Sequence, residues 1–169
     1  FDSTTIDLCL SVFWWAKFRK FKGGIKLHTL LDINTQIPAF VHITPASVND
    51  MNALDALFYE TDAYYILDRG YVDYTRLYKI TQHSATFVVR AKSNLKFNRM
   101  YSRKHDKSTG VKSDQIGKLS GFYVSKQYPE KLRRIKFYDQ ETDRTFVFLT
   151  NNFELTAEQV AFLYKNRWQ

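Results

Sequence analysis

Apolar and polar positions follow two rhythms along this chain, a period of two in some stretches and of three to four in others. Residues 1–10 mix β-branched and apolar types and predict a short strand. Residues 25–32 and 37–44 are both strand-like and are separated by the polar turn Asn34-Thr35-Gln36, which predicts a hairpin. Asn49 or Asp50 is placed to cap a helix carrying Met51, Leu54, Leu57 and Phe58 at helical spacing. Residues 63–67 make a compact apolar strand that ends at Asp68 and runs into the turn Arg69-Gly70. Residues 73–82 predict a second helix, with Leu77 and Ile80 on one face, and residues 86–90 a third buried strand. The order strand, hairpin, helix, strand, helix, strand implies an α/β fold, a mixed sheet with helices packed on it.

The texture changes near residue 93. Residues 90–112 hold eight basic side chains (Arg90, Lys92, Lys96, Arg99, Arg103, Lys104, Lys107 and Lys112) against Asp106 alone, with Phe97 and Tyr101 interleaved. Residues 122–126, 134–138 and 145–149 alternate like strands, and 139–143 read as a polar turn. We therefore expect a core over 1–92, a β-strand insertion over 93–150 and a final core helix over 151–169. Thr156 is placed to cap that helix, with Glu158 and Gln159 in its first turn and Val160, Leu163, Tyr164 and Arg167 following. The basic stretch 90–112 is either a contact for a DNA backbone or a soluble loop. Ser11 to Ala16 is an aromatic connection whose Phe13, Trp14 and Trp15 suit core packing, and the basic turn around Arg19, Lys20, Phe21 and Lys22 reverses at Gly23 and Gly24.

Composition narrows the class. With 169 residues, 44% hydrophobic, the chain suffices for one good core and is too apolar for a disordered segment. The net charge of +8 and pI near 9.5 favour a polyanionic partner, nucleic acid before an acidic membrane, although soluble proteins of other kinds are as basic. Cys9 is the only cysteine, which excludes an internal disulfide and a thiolate metal cage and fits a reducing cytoplasm. No apolar run approaches the ~20 residues of a membrane span, so no membrane partner is expected. The chain opens on Phe1-Asp2-Ser3-Thr4 without an initiator Met and stops at Gln169 inside a helical pattern, which predicts a fragment of a longer protein.

Two aspartates stand out by position: Asp2 in the first strand and Asp68 at the end of an apolar one. A carboxylate at a strand end projects into the crevice where α/β folds bind ligands. Asp is also a natural ligand for hard cations such as Mg²⁺, and two such ions about 3.5–4 Å apart serve both ends of an in-line phosphoryl displacement. On spacing alone, a capping or turn role is the simpler account of both residues.

The segments Asp2-Ser3-Thr4, Asp68-Arg69-Gly70-Tyr71 and Tyr164-Lys165-Asn166-Arg167-Trp168 resemble, in order and rough spacing, three signatures of the insertion-sequence-four family of DDE transposases. Lys26-Leu27-His28, Asn49-Asp50 and Phe87-Val88-Val89-Arg90-Ala91-Lys92 resemble the segments between them, so the likeness covers nearly the whole chain. It implies an RNase H-like catalytic domain that uses Mg²⁺ or Mn²⁺, two ions in the active complex, to cleave DNA at transposon ends and join them to target DNA. It implies a homodimer in a synaptic complex. It makes Asp2 and Asp68 the first two catalytic and metal-holding acids. The family's third, a Glu four residues after the Arg of Tyr-x-x-Arg, would fall two positions beyond Gln169, so the fragment alone is expected to bind metal poorly and turn over slowly or not at all. Tyr164, Arg167 and a residue four further on share one helical face, as that placement needs. Arg167 is expected to hold a phosphate and Tyr164 to pack against or bond DNA.

Other assignments are less determined. Arg69 and Tyr71 either touch the DNA backbone or pair with neighbouring acids; Arg90 and Lys92 fall in the basic stretch. Lys26 and His28 share a strand face, and His28 either approaches the scissile phosphate or is a satisfied structural histidine. Two other readings stay open: an RNase H-like nuclease without strand transfer, and a non-enzymatic DNA-binding remnant.

Overall fold

A computed structural model describes residues 1–8, 15–19, 22–33 and 35–166, with 17–19 and 22 through their backbone. Cys9, Phe13, Trp14, Lys20, Phe21, Asn34, Arg167 and Trp168, and the expectations placed on them, lie outside the described residues. The chain divides into two compact units, Phe1–Phe58 and Tyr59–Gln169.

The first unit is an antiparallel sheet. Strand β3 (Lys22–Leu31) pairs with β1 (Asp2–Leu8), with the short β2 (Lys17–Arg19) and with β4 (Pro38–Pro45). The hairpin between β3 and β4 is the one the alternation predicts, and Gln36 takes the left-handed conformation in its turn at φ 59°. Register places Ser3 opposite His28, and His28 opposite His42, so Lys26, His28 and Thr44 share a face. Asp2, opposite Thr29, lies on the other face with Ile6, Val41 and Ile43, all exposed.

The helix expected after Asn49 is a 3-10 helix, Asp50–Ala56, begun by an Asn49 side chain that accepts from Met51 N at 3.2 Å. It buries Ala53 and Leu54 and ends at Leu57, which returns to extended backbone, so Phe58 falls outside it and is 85% exposed. With so few apolar contacts to gain, nothing holds the segment in a longer α-helix.

The second unit is a mixed α/β layer. Strands β5 (Tyr64–Leu67) and β6 (Thr86–Arg90) pair in parallel, joined by the crossover helix α1 (Tyr74–Gln82). Both strands read as continuous apolar runs because parallel strands are covered on two faces. Strands β7 (Phe97–Ser102), β8 (Val111–Leu119), β9 (Leu132–Asp139) and β10 (Arg144–Thr150) complete a six-stranded sheet in the order β5-β6-β10-β9-β8-β7. Residues 93–150 thus extend the same sheet, with β10 hydrogen-bonded directly to β6. Helix α3 (Ala157–Lys165) opens with a capping box between Thr156 and Gln159 and buries Val160, Ala161 and Tyr164. A mixed sheet flanked by helices is the α/β, RNase H-like class expected.

One predicted strand is a helix. Residues 122–126 belong to α2 (Phe122–Gln127), which begins after Gly121 at φ 111°. That angle turns the chain out of extended backbone, and Ser125 bonds back to the Gly121 carbonyl. Phe122 and Tyr123 stay exposed, while Tyr128 beyond the helix is buried against Phe87. Farther along the sheet, β9 buries Arg133 on a paired carboxylate, Asp114 of β8, through Nε at 2.9 Å and Nη2 at 2.7 Å. Among the described residues no helix is long and apolar enough to cross a membrane.

Candidate active site

Asp68 is positioned by the end of β5. Parallel pairing sends the carboxyl ends of β5 and β6 the same way, so Asp68 and Lys92 border one crevice, and Arg90 and Ala91 border the depression beside it. The Asp68 backbone stays extended, and its carbonyl accepts from Tyr71 N at 3.0 Å in a short 3-10 turn, Arg69–Tyr71. Its side chain makes no capping bond to that turn. Instead the carboxylate accepts from the Tyr164 hydroxyl, Oη to Oδ1 at 2.9 Å. Tyr164 is buried, with its ring 4.9 Å from Phe148 and 6.3 Å from Phe146. Arg90 stands over Phe146, its guanidinium 5.1 Å from the ring centre.

The surroundings are basic. An open cleft of about 650 Å³ is bordered by Asp68, Arg69, Gly70, Lys92, Ser93 and Asn94. A second depression of about 280 Å³ shares Arg69, Lys92 and Ser93 and reaches Arg134, Thr145 and Val147. Lys92 donates to the Val72 carbonyl at 2.9 Å. Among the described residues no carboxylate pairs with Arg69, Arg90, Lys92 or Arg134. The cluster is therefore an uncompensated positive field around one carboxylate, suited to a polyanion that must approach it.

The remaining expected residues are placed differently. Tyr71 is turned into the interior of the second unit, only 2% exposed, and presents no surface to a ligand. Tyr164 is likewise buried, so its hydroxyl serves Asp68 rather than an exposed contact. In the first unit, Asp2 is exposed at the start of β1 and accepts from Ser3 N at 2.9 Å. Lys26 is held by Asp50 at 2.9 Å and by the Val48 carbonyl. His28 is fully buried, with Nε2 3.0 Å from the Thr44 hydroxyl and the Phe1 ring stacked 6.3 Å away. Burial holds the His28 pKa below the usual 6.5; Asp50 opposes this, while Lys26 and His42 add to it. A buried neutral imidazole and an ion-paired lysine are structural features of this unit, not exposed contacts. Arg134 was missed by sequence reasoning. Its signal was the pair Arg133-Arg134 on one strand, which alternation must send to opposite faces.

A profile of the transposase DDE domain family matches residues 1–169. The chain belongs to that family. A protein of Sinorhizobium fredii named for transposase y4zB is 34% identical over 172 residues, covering 99% of this chain and 48% of its own length. A protein of Geobacillus stearothermophilus named for the transposase of insertion sequence element IS5377 is 28% identical over 171 residues, covering 99% and 44%. This transposase DDE domain thus spans about half the length of those curated relatives.

The acids of this DDE domain fit a hard divalent cation in kind. Asp2 and Asp68 both offer carboxylate oxygens, and Asp2 is exposed and Asp68 half-buried, so solvent and substrate reach both. Among the described residues no three His, Cys, Asp or Glu side chains gather into a complete ligand set. Each aspartate would by itself supply only part of a coordination sphere, with substrate oxygens and further donors completing it.

Proposed function

We propose that this domain carries out metal-dependent DNA strand cleavage and strand transfer during transposition of a bacterial insertion sequence, with Asp2 and Asp68 as its catalytic carboxylates. The observation that carries the reading is Asp68: a strand-end carboxylate gripped by a buried tyrosine, at the edge of a cleft lined by unpaired cations. Mg²⁺ or Mn²⁺, as two ions held by Asp2 and Asp68, would activate the attacking oxygen and stabilise the leaving one. The third ligand would be the acid that family spacing puts after Arg167.

The protein's own part is positioning and charge neutralisation. Tyr164 fixes the rotation of the Asp68 carboxylate. Arg69 and Lys92 border the same cleft and offset phosphate charge beside it, and Arg90 adds to the field from over Phe146. Arg167, three positions after Tyr164 in the sequence, contributes a bidentate phosphate contact. Residues 93–150 form an insertion that widens the sheet and carries part of the DNA surface. In the intact protein two copies act on two transposon ends and a target DNA in the cytoplasm.

The test is nicking of transposon-end DNA by the intact protein in Mg²⁺ or Mn²⁺, beside Asp2→Asn and Asp68→Asn. Metal-dependent cutting that either substitution abolishes supports the reading, and joining of the freed 3′ end to a second DNA extends it to strand transfer. Equal cutting without the aspartates would overturn it, and binding without any cutting would leave a DNA-binding remnant.

A further inference from the structure

The two neighbouring arginines of β9 are used in opposite ways. Arg133 is buried and fully compensated by Asp114. Arg134 points to the other face, where its partner is an uncharged amide: Gln115 Oε1 accepts from Nε at 3.1 Å and from Nη2 at 2.5 Å. Its guanidinium also lies over the Phe97 ring, 4.5 Å from the centre. The fork is thus held rigidly by two neutral groups, and its positive charge stays unanswered. Three of its five N–H donors make no bond among the described residues. Burial, and then the neighbouring Arg99, disfavour that charge and push its pKa down. A half-buried cation kept rigid, charged and without an anion is the arrangement expected of a binding group awaiting its ligand.

The depression that Arg134 borders adjoins the Asp68 cleft and shares Arg69, Lys92 and Ser93 with it. Between the cations its walls are Leu95, Thr145 and Val147, which offer no base-reading carboxylate or amide. We infer that this depression is a rail for the phosphodiester backbone of the DNA strand that enters the Asp68 cleft, with Arg134 gripping one phosphate through the free edge of its fork. The inference rests on the DNA-cleaving reading above and deepens it. The rail adds affinity and direction without sequence preference, because phosphates carry no base identity.

The test measures binding of this chain to labelled transposon-end DNA by fluorescence anisotropy in EDTA, so that no step depends on metal. Arg134→Gln keeps the stem and loses the charge; Lys118→Gln, on an exposed lysine of β8 outside the depression, is the control. The rail predicts roughly tenfold weaker binding for Arg134→Gln, with the slope of log affinity against log salt reduced by about 0.7–0.9, one phosphate contact. It also predicts that one methylphosphonate linkage weakens binding to the wild type and has no effect on Arg134→Gln. Arg134→Lys recovers the slope but only part of the affinity, since the fork is gone. Unchanged slope and affinity in Arg134→Gln, or a methylphosphonate profile identical to wild type, would overturn the rail. So would a chain that binds no DNA. Cutting assays on Asp68→Asn are read separately: a variant that still cuts sinks the catalytic reading while these binding data decide the rail.

Discussion

Replacing Tyr164 by Phe removes one oxygen and leaves the ring. The stacking on Phe148 and Phe146 is kept, so the substitution isolates the hydroxyl, which bonds Asp68 at 2.9 Å. A hydrogen bond to a charged group contributes about 1.5–3 kcal/mol, and since Asp68 is half-buried, water replaces part of it in the variant. We expect a net loss of about 1 kcal/mol, which shifts Tm by roughly 2–4 °C in a domain of this size. The effect on nicking should be larger. Outer partners that orient a metal-holding group typically matter by about 10–100-fold in affinity or rate. Urea unfolding followed by circular dichroism gives the first number and a nicking time course the second. Combining Tyr164→Phe with Asp68→Ala isolates the pair, and the stability cycle should show coupling near 1 kcal/mol. Coupling under about 0.3 kcal/mol, within the error of independent sites, would refute the argument, as would nicking within twofold of wild type.

Asp114→Ala should lose about 3–5 kcal/mol in urea unfolding, because Arg133, 1% exposed, is left charged without its carboxylate; a loss under about 1 kcal/mol would contradict this. Gly117→Ala should destabilise despite alanine's advantage of about 0.5–1 kcal/mol in regular structure, since its Cβ would sit 2.1 Å from the Asn98 carbonyl oxygen of β7. A variant melting at or above wild type would show that β7 yields easily. Burial lowers the His28 pKa in the fold below the unfolded value of 6.5, so the unfolded chain binds the extra proton first. Its contribution is present above pH 6.5 and is lost as pH falls from there toward the lowered folded value; His28→Gln should flatten the unfolding free energy over that window, and equal slopes in both proteins would exclude His28 as the cause.

Much of the fold was legible because local pattern and tertiary demand agreed. The runs at 64–67 and 86–90 read as buried strands since both faces of the parallel pair are covered. Thr156 read as a cap because its side chain bonds Gln159 N within the same turn. Disagreement appeared where distant contacts decide. Residues 122–126 alternate like a strand, yet the chain there ends on Tyr128, whose hydroxyl meets that of Thr81 at 2.8 Å, 47 positions away. The insertion of β10 between β6 and β9 is equally non-local, and no window of sequence contains it.

The site divides along the same line. Strand-end position singled out Asp68, and a short motif singled out Tyr164, but the motif gave the residue without its job. The bond joining them spans 96 positions. A hydroxyl has one proton to donate; given to Asp68, it cannot also be offered to a phosphate. In the proposed reading Tyr164 therefore serves the DNA through the carboxylate it holds. Under the proposed function the physical need is plain: an acid that is to hold a metal must be open to substrate, and an open side chain is free to rotate. Anchoring it from a buried ring on α3 gives Asp68 a fixed direction without covering it. The same reasoning separates Arg134 from Arg133. A charge with a carboxylate is part of the scaffold, whereas a charge held rigid by neutral groups faces a partner still to arrive.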